Sequence, residues 1–164
     1  MSEITRQPSR FGMVVAAGFA LLAVAATAVV ELGGAAAVAA GTAVLLVGLV
    51  VPSRRLLTNG VGVMLLGVLY AGYTGAPAFP LLVGALGAVL AWDTASNAVS
   101  VGEQLGRESP TMRGEAVHAA GSFVVGSLAV AVGYGVFLAA AGGQPIAAVF
   151  LLVVGAVALV TALR

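Results

Sequence analysis

The sequence contains no cysteine and no lysine, a single histidine, and few charged residues of either sign. The lack of cysteine excludes disulfides, thiol catalysis and cysteine-ligated metals. One histidine leaves little for acid–base catalysis, and no phosphate-binding glycine loop, HExxH motif or nucleophile–histidine–acid set occurs. The net charge of +1 is too small to favour a nucleic-acid partner. We therefore expect a protein that is not an enzyme and that has no cofactor and no metal.

The shortage of charge also excludes an ordinary soluble domain. Only 8% of the 164 residues are charged and 61% are hydrophobic, whereas about 25% of residues are charged in a typical soluble domain. A chain of this composition cannot cover a soluble globule with polar surface. The length is that of a single domain. We therefore predict one membrane domain over residues 1–164, with the lipid bilayer as its surroundings.

The charged residues divide the chain into uncharged runs that fit membrane helices, each of which needs about 20 apolar residues. Runs 56–92 and 116–163 are long enough for two helices each, and each contains a helix break, TGAPAFP at 74–80 and GGQP at 142–145. The runs lack the alternation of barrel strands. The prediction is an all-α integral membrane protein, a six-helix transmembrane bundle of three hairpins, with helices near 12–31, 35–52, 57–74, 79–100, 112–141 and 145–163.

The arginines indicate how such a bundle is oriented. With six helices, every segment that contains arginine falls on the same side, and the other side receives only the uncharged breaks and ELGG. Positively charged residues in short loops mark the cytoplasmic side. We therefore predict that both termini are cytoplasmic (N-in/C-in) and that residues 101–115 form a cytoplasmic helix–turn–helix loop. The cytoplasmic basic residues are Arg6, Arg10, Arg54, Arg55, Arg107, Arg113 and Arg164.

The N-terminal segment has a second interpretation. Two arginines, an apolar run and the A-x-A sequence Ala26-Thr27-Ala28 resemble a signal peptide. Cleavage there would leave five helices. The uncharged run over 11–30 is longer than the usual signal-peptide core of about 7–15 residues, which favours an uncleaved helix. The alternative of cleavage stays open.

Polar residues recur at spacings of three and four on the predicted fourth and fifth helices, so that each set shares a helix face. We expect the two faces to meet near the cytoplasmic ends of these helices. Glu103 and Arg107 stand in the favourable order for an i,i+4 pair, and Ser109-Pro110 is typical of a helix start. The cluster comprises Asp93, Asn97, Ser100, Gln104, Glu115, His118 and Ser122.

Two hypotheses follow for this polar cluster. An acidic residue inside a membrane span is by default a functional candidate, which would make Asp93, Asn97, Glu115 and His118 an ion or proton site. The alternative is a network that pins two helices together and meets water at the interface, and we favour it. A metal site is not expected, because one histidine beside carboxylates lacks the spacing of known metal motifs.

Residues 92–122, WDTASNAVSVGEQLGRESPTMRGEAVHAAGS, resemble a family of small uncharacterised haloarchaeal multi-pass membrane proteins. That family carries a D-x-x-x-NAV-x-x-GEQLGR…E-x-VHA-x-GS signature between two apolar helices and is encoded near MoxR-type ATPases. The resemblance implies a location and partners but no reaction. In this sequence the signature falls on Asp93, Asn97, Gly102, Glu103, Gln104, Leu105, Gly106, Arg107, Glu115, His118 and Ser122.

The leading functional hypothesis is an accessory or scaffold protein that presents the cytoplasmic segment 93–122 to a protein partner. The alternative is a small transporter or channel subunit with a polar site at Asp93 and His118. A transport site needs a water path to Asp93 from both sides of the membrane, whereas a contact surface needs an exposed loop above a closed membrane part. The sequence leaves the oligomeric state open.

Overall fold

The computed structural model describes residues 6–107 and 109–140, and it confirms an all-helical fold for them. Every helix is long and apolar enough to cross a membrane, which fits a membrane protein. The predicted sixth helix near 145–163 and Arg164 lie outside the described residues. The five helices are α1 (Arg10–Ala28), α2 (Leu32–Val50), α3 (Arg54–Tyr73), α4 (Ala78–Leu105) and α5 (Met112–Ala140).

The described part of the chain divides after Val130 into two units. The first unit holds α1 to α4 and the N-terminal part of α5. The described part of the second unit is the C-terminal end of α5, where the rings of Tyr134 and Phe137 stack with centroids 6.1 Å apart.

The helix ends follow from local chemistry. Ser9 caps α1 because its Oγ accepts the backbone N–H of Gly12 at 3.0 Å. Glu31 caps α2, and its carboxylate accepts the backbone N–H groups of Gly33 and Gly34. At the end of α4, Gly106 has a φ of +80°, a conformation that favours glycine and stops the helix. The helices are therefore joined by short, defined turns.

Helices α2 and α3 pack through glycines spaced seven residues apart. Gly34 faces Gly67, and a Cβ on Gly41 would lie 2.6 Å from the backbone oxygen of Gly60. Small residues at one face let helix backbones approach closely, which is a main source of helix association in membranes. Leu45 and Met64 are fully buried in this contact region.

Helices α1 and α4 also pack through small side chains. Gly12 lies against Ala98, and Gly87 lies against the backbone of Ala23. Thr27, near the end of α1, lies against Gly84, near the start of α4. These contacts make the two helices antiparallel. The fully buried alanines along this part of the core are Ala16, Ala20, Ala23, Ala88, Ala91, Ala95 and Ala98.

The described arginines all lie at one end of the first unit, which we call the charged end. The start of α3 meets the end of α4 through Arg54 and Glu103, and the start of α5 meets the start of α1 through Glu115 and Ser9. Glu31, at the start of α2, lies toward the opposite end. The described arginines at the first end are Arg6, Arg10, Arg54, Arg55, Arg107 and Arg113.

Candidate functional site

The polar contact between α4 and α5 is centred on Asp93. Its Oδ2 accepts a hydrogen bond from Ser122 Oγ at 2.7 Å and lies 3.0 Å from His118 Nε2. The contact is an ion pair when His118 is protonated. The side chains of His118 and Asp93 are 40% and 33% exposed. One carboxylate with two partners thus joins α4 to α5.

Asn97 lies one turn further along α4, beside Glu115, His118 and Thr94. The space that these side chains enclose with the start of α1 has no room for a water molecule. The polar groups in this region are therefore closely packed and do not line a water-filled cavity.

Glu115 is the most buried acidic residue among those described, with an exposed fraction of 4%. Its Oε1 accepts a hydrogen bond from Thr111 Oγ1 at 2.6 Å, and its Oε2 accepts one from Ser9 Oγ. The backbone N–H of Ser9 also donates to the carbonyl of Ala98 at 3.4 Å. A buried carboxylate needs such partners, and here they tie α5 to the N-terminal segment and α4.

Sequence reasoning missed Ser9. Its position directly before an apolar run is a signal for a helix cap, but nothing local indicates that its hydroxyl reaches Glu115, 106 residues away. Gly12 permits this approach, because a Cβ there would lie 2.6 Å from Glu115 Oε2. The site therefore includes a segment that the predicted cluster did not contain.

The predicted pair of Glu103 with Arg107 is wrong. Glu103 Oε2 instead accepts from Arg54 Nη2 at 2.9 Å, and the same nitrogen donates to Ser100 Oγ at 3.0 Å. The physical reason is that α4 ends at Leu105, so Arg107 lies beyond the last helical turn. The carboxylate of Glu103 therefore joins α4 to α3.

Arg107 donates to Gln7 Oε1 in the N-terminal segment. The predicted helix start at Ser109-Pro110 is also corrected, since α5 begins at Met112 and Ser109 Oγ donates to the Leu105 carbonyl at 2.6 Å. Ser109 therefore closes the end of α4, and Thr111 accepts the first backbone bond of α5, from Glu115, at 3.0 Å.

The seven predicted cluster residues thus separate into different settings. Asp93, His118 and Ser122 contact one another, and Asn97 and Glu115 lie beside them. Ser100 belongs to the Arg54–Glu103 contact, about one helical turn closer to the charged end than Asn97. Gln104 is exposed. No group of three or more His, Asp or Glu side chains that could hold a metal occurs in the described ranges.

The other side of Asp93 borders a groove of about 400 Å³ between α4 and α5. Trp92, Asp93 and Ser122 line it, together with apolar residues of both helices. The groove opens to the surface of the described residues. The Asp93 contact therefore lies between a closely packed region and an open apolar one.

A family of unknown function, DUF7519, matches residues 6–160. The chain belongs to DUF7519. The match covers nearly the whole sequence, including every residue of the polar contact. Neither the curated proteins nor the solved structures gave a match.

Proposed function

We propose that this DUF7519 member is a multi-pass protein of the cell membrane whose charged end and both termini lie in the cytoplasm. It acts without catalysis, as an accessory or scaffold protein that presents segment 93–122 to a protein partner. The observation that supports this most is that separate stretches of chain are fixed to one another at the charged end. Ser9 is bonded to α4 and α5, Gln7 is bonded to Arg107 just beyond α4, and α3 is bonded to α4.

The distribution of charge supports the cytoplasmic orientation. The six described arginines lie at one end, and positively charged residues in short loops mark the cytoplasmic side. Arg6, Arg10, Arg55 and Arg113 are exposed there. A guanidinium group binds carboxylates in a planar, two-pronged arrangement. The partner we expect is therefore a soluble protein with an acidic surface. The resemblance of residues 92–122 to haloarchaeal proteins encoded near MoxR-type ATPases makes such an ATPase the first candidate.

Site-specific photo-crosslinking in cells tests this proposal. A photoreactive amino acid replaces Arg55 or Arg113 in turn, and Tyr73, 90% exposed at the opposite end, serves as the control position. We expect both arginine positions to crosslink one and the same soluble protein, and Tyr73 not to do so. Charge reversal of the other arginine should reduce that crosslink. Adducts to lipid alone from both arginine positions would contradict the proposal.

A transporter or channel subunit is the second candidate, because Asp93 and His118 form an ionisable pair within a span. The close packing around Asn97 and Glu115 favours the scaffold. Asp93→Asn separates the two. A scaffold should tolerate the amide, which keeps most hydrogen bonds. If the protein is a transporter, the Asp93→Asn variant should accumulate to the normal level but lose its function entirely.

A further inference from the structure

The groove beside Asp93 has the size of a small-molecule binding site. Its volume of about 400 Å³ falls within the range of about 300–1,000 Å³ for small-molecule sites. The groove runs from Asp93 and Ser122 toward Leu86 and Gly126, which approach each other closely. Seven residues of α4 separate Leu86 from Asp93, a length of about 10 Å at 1.5 Å per residue.

One end of the groove is polar and the rest is apolar. Asp93 and Ser122 stand at the polar end, and the walls are formed by Leu86, Val89, Leu90, Val125 and Gly126 with Trp92. In the part of the chain that the structure describes, the contacts of Asp93 all go to Oδ2. Oδ1 is therefore available to accept a hydrogen bond from an occupant.

The position of Asp93 along α4 limits the kind of headgroup that can reach it. Ser100 lies level with Arg54 at the charged end, and Asp93 is seven residues, or about 10 Å, further from that end. A phosphate headgroup would be drawn that far from water and would meet a carboxylate of like charge. A cationic headgroup pays the same desolvation cost, and His118 already faces the carboxylate.

We propose that this groove binds a membrane lipid with a small, uncharged, hydroxyl-bearing headgroup, of which diacylglycerol is the simplest example. The hydroxyl donates a hydrogen bond to Asp93, and one hydrocarbon chain lies along the apolar walls. This inference requires that the helices span the bilayer. It does not depend on a partner at the cytoplasmic end, so the two proposals fail independently.

The single tryptophan of the chain, Trp92, lines the groove and reports its occupancy. The full-length protein is reconstituted in phosphatidylcholine vesicles, and diacylglycerol with brominated chains is added in increasing amounts. We expect saturable quenching of Trp92 fluorescence by this lipid. Brominated phosphatidic acid and a brominated fatty-acid methyl ester, which lacks a hydroxyl donor, should quench only by unsaturable collision.

Gly121→Leu is the decisive variant, because Gly121 lines the groove and nothing lies within 4 Å of a Cβ placed there. The leucine should fill the groove and remove the saturable quenching. Gly62→Leu is the matched control, because a Cβ placed at Gly62 also meets open space. Gly62 lies on α3, away from the groove. We expect Gly62→Leu to bind like the unmodified chain, and thermal unfolding checks that both variants fold.

Brominated phosphatidylcholine is added in a parallel titration, and saturable quenching by it equal to that by brominated diacylglycerol would overturn the proposal. Saturable quenching by phosphatidic acid or by the methyl ester would also overturn it, because the headgroup would then not be selected by its hydroxyl. Saturable quenching that survives in folded Gly121→Leu would place the lipid elsewhere.

Discussion

The pair α2–α3 and the pair α4–α5 are joined by different kinds of contact. In α2–α3, Gly34, Gly41 and Gly67 bring backbones together and buried side chains fill the remaining space. In α4–α5, Asp93 receives two polar partners, and a groove lined by Val89, Trp92 and Val125 lies beside that contact. One pair is closed along its length, and the other is held at a few points beside an open groove.

This difference shows how an apolar chain can combine a fixed part with an accessible one. Between membrane helices the lipid is as apolar as the side chains, so close packing and hydrogen bonds must supply the association. Glycine packing uses the whole contact face and leaves no space for another molecule. A polar contact needs only a few residues, and the surface around it stays open. We therefore expect α2–α3 to be the structural part and α4–α5 the part that meets other molecules.

The largest effect should come from placing a large side chain in the glycine contact between α2 and α3. Gly41→Leu places a Cβ 2.6 Å from Gly60 O and Met64 N, and neither backbone can yield locally. We expect a loss of about 3 kcal/mol in the free energy of unfolding, at the upper end of the usual cost of overpacking, measured by thermal unfolding in detergent and by abundance in membranes. Gly62→Leu, which meets open space, should be close to neutral. Equal stability of the two variants would refute the packing described for α2–α3.

A smaller effect is expected at the polar contact of α4–α5. Asp93→Leu leaves His118 and Ser122 without their acceptor and should cost about 1 kcal/mol, the usual scale for polar contacts between membrane helices. Asp93→Asn keeps an acceptor and should cost less. The same unfolding measurement applies. If Asp93→Leu were as stable as the unmodified chain, the contact would not hold α5.

The smallest effect is expected at the exposed end. Arg54 and Glu103 have side chains that are 55% and 46% exposed, and such pairs contribute about 0–1 kcal/mol. A double-mutant cycle with Arg54→Ala and Glu103→Ala should give a coupling energy in that range and lower still in high salt. A coupling energy well above that of the Asp93 contact would reverse the proposed order.

Much of the helical framework could be predicted from the sequence, because it depends on local chemistry. The uncharged runs and Gly–Pro breaks predicted helices near 12–31, 35–52 and 57–74, and the structure has Arg10–Ala28, Leu32–Val50 and Arg54–Tyr73. Glycines recur every seven residues in α2 and α3, but in a chain with 23 glycines such a spacing is expected by chance and does not identify the packing partner.

The contacts at the site were less predictable, because they depend on which helices are neighbours. Helical spacing placed Asp93 on a polar face, and the structure brings it to His118 and Ser122. The partners of Glu103 and Glu115 come from α3 and the N-terminal segment, and no local pattern indicates such distant residues. The groove beside Asp93 has no sequence signal, because it results from the separation of α4 and α5.

Single-cysteine labelling in intact cells tests directly whether the helices span a membrane with the arginines on the cytoplasmic side. The chain has no native cysteine to interfere. Cysteines at Ser53 and Ser109, at the charged end, should react only with membrane-permeant thiol reagents. Cysteines at Ala78, at the opposite end, and at Gly143, outside the described residues, should also react with impermeant reagents. The reverse pattern at any of the four positions would contradict the topology.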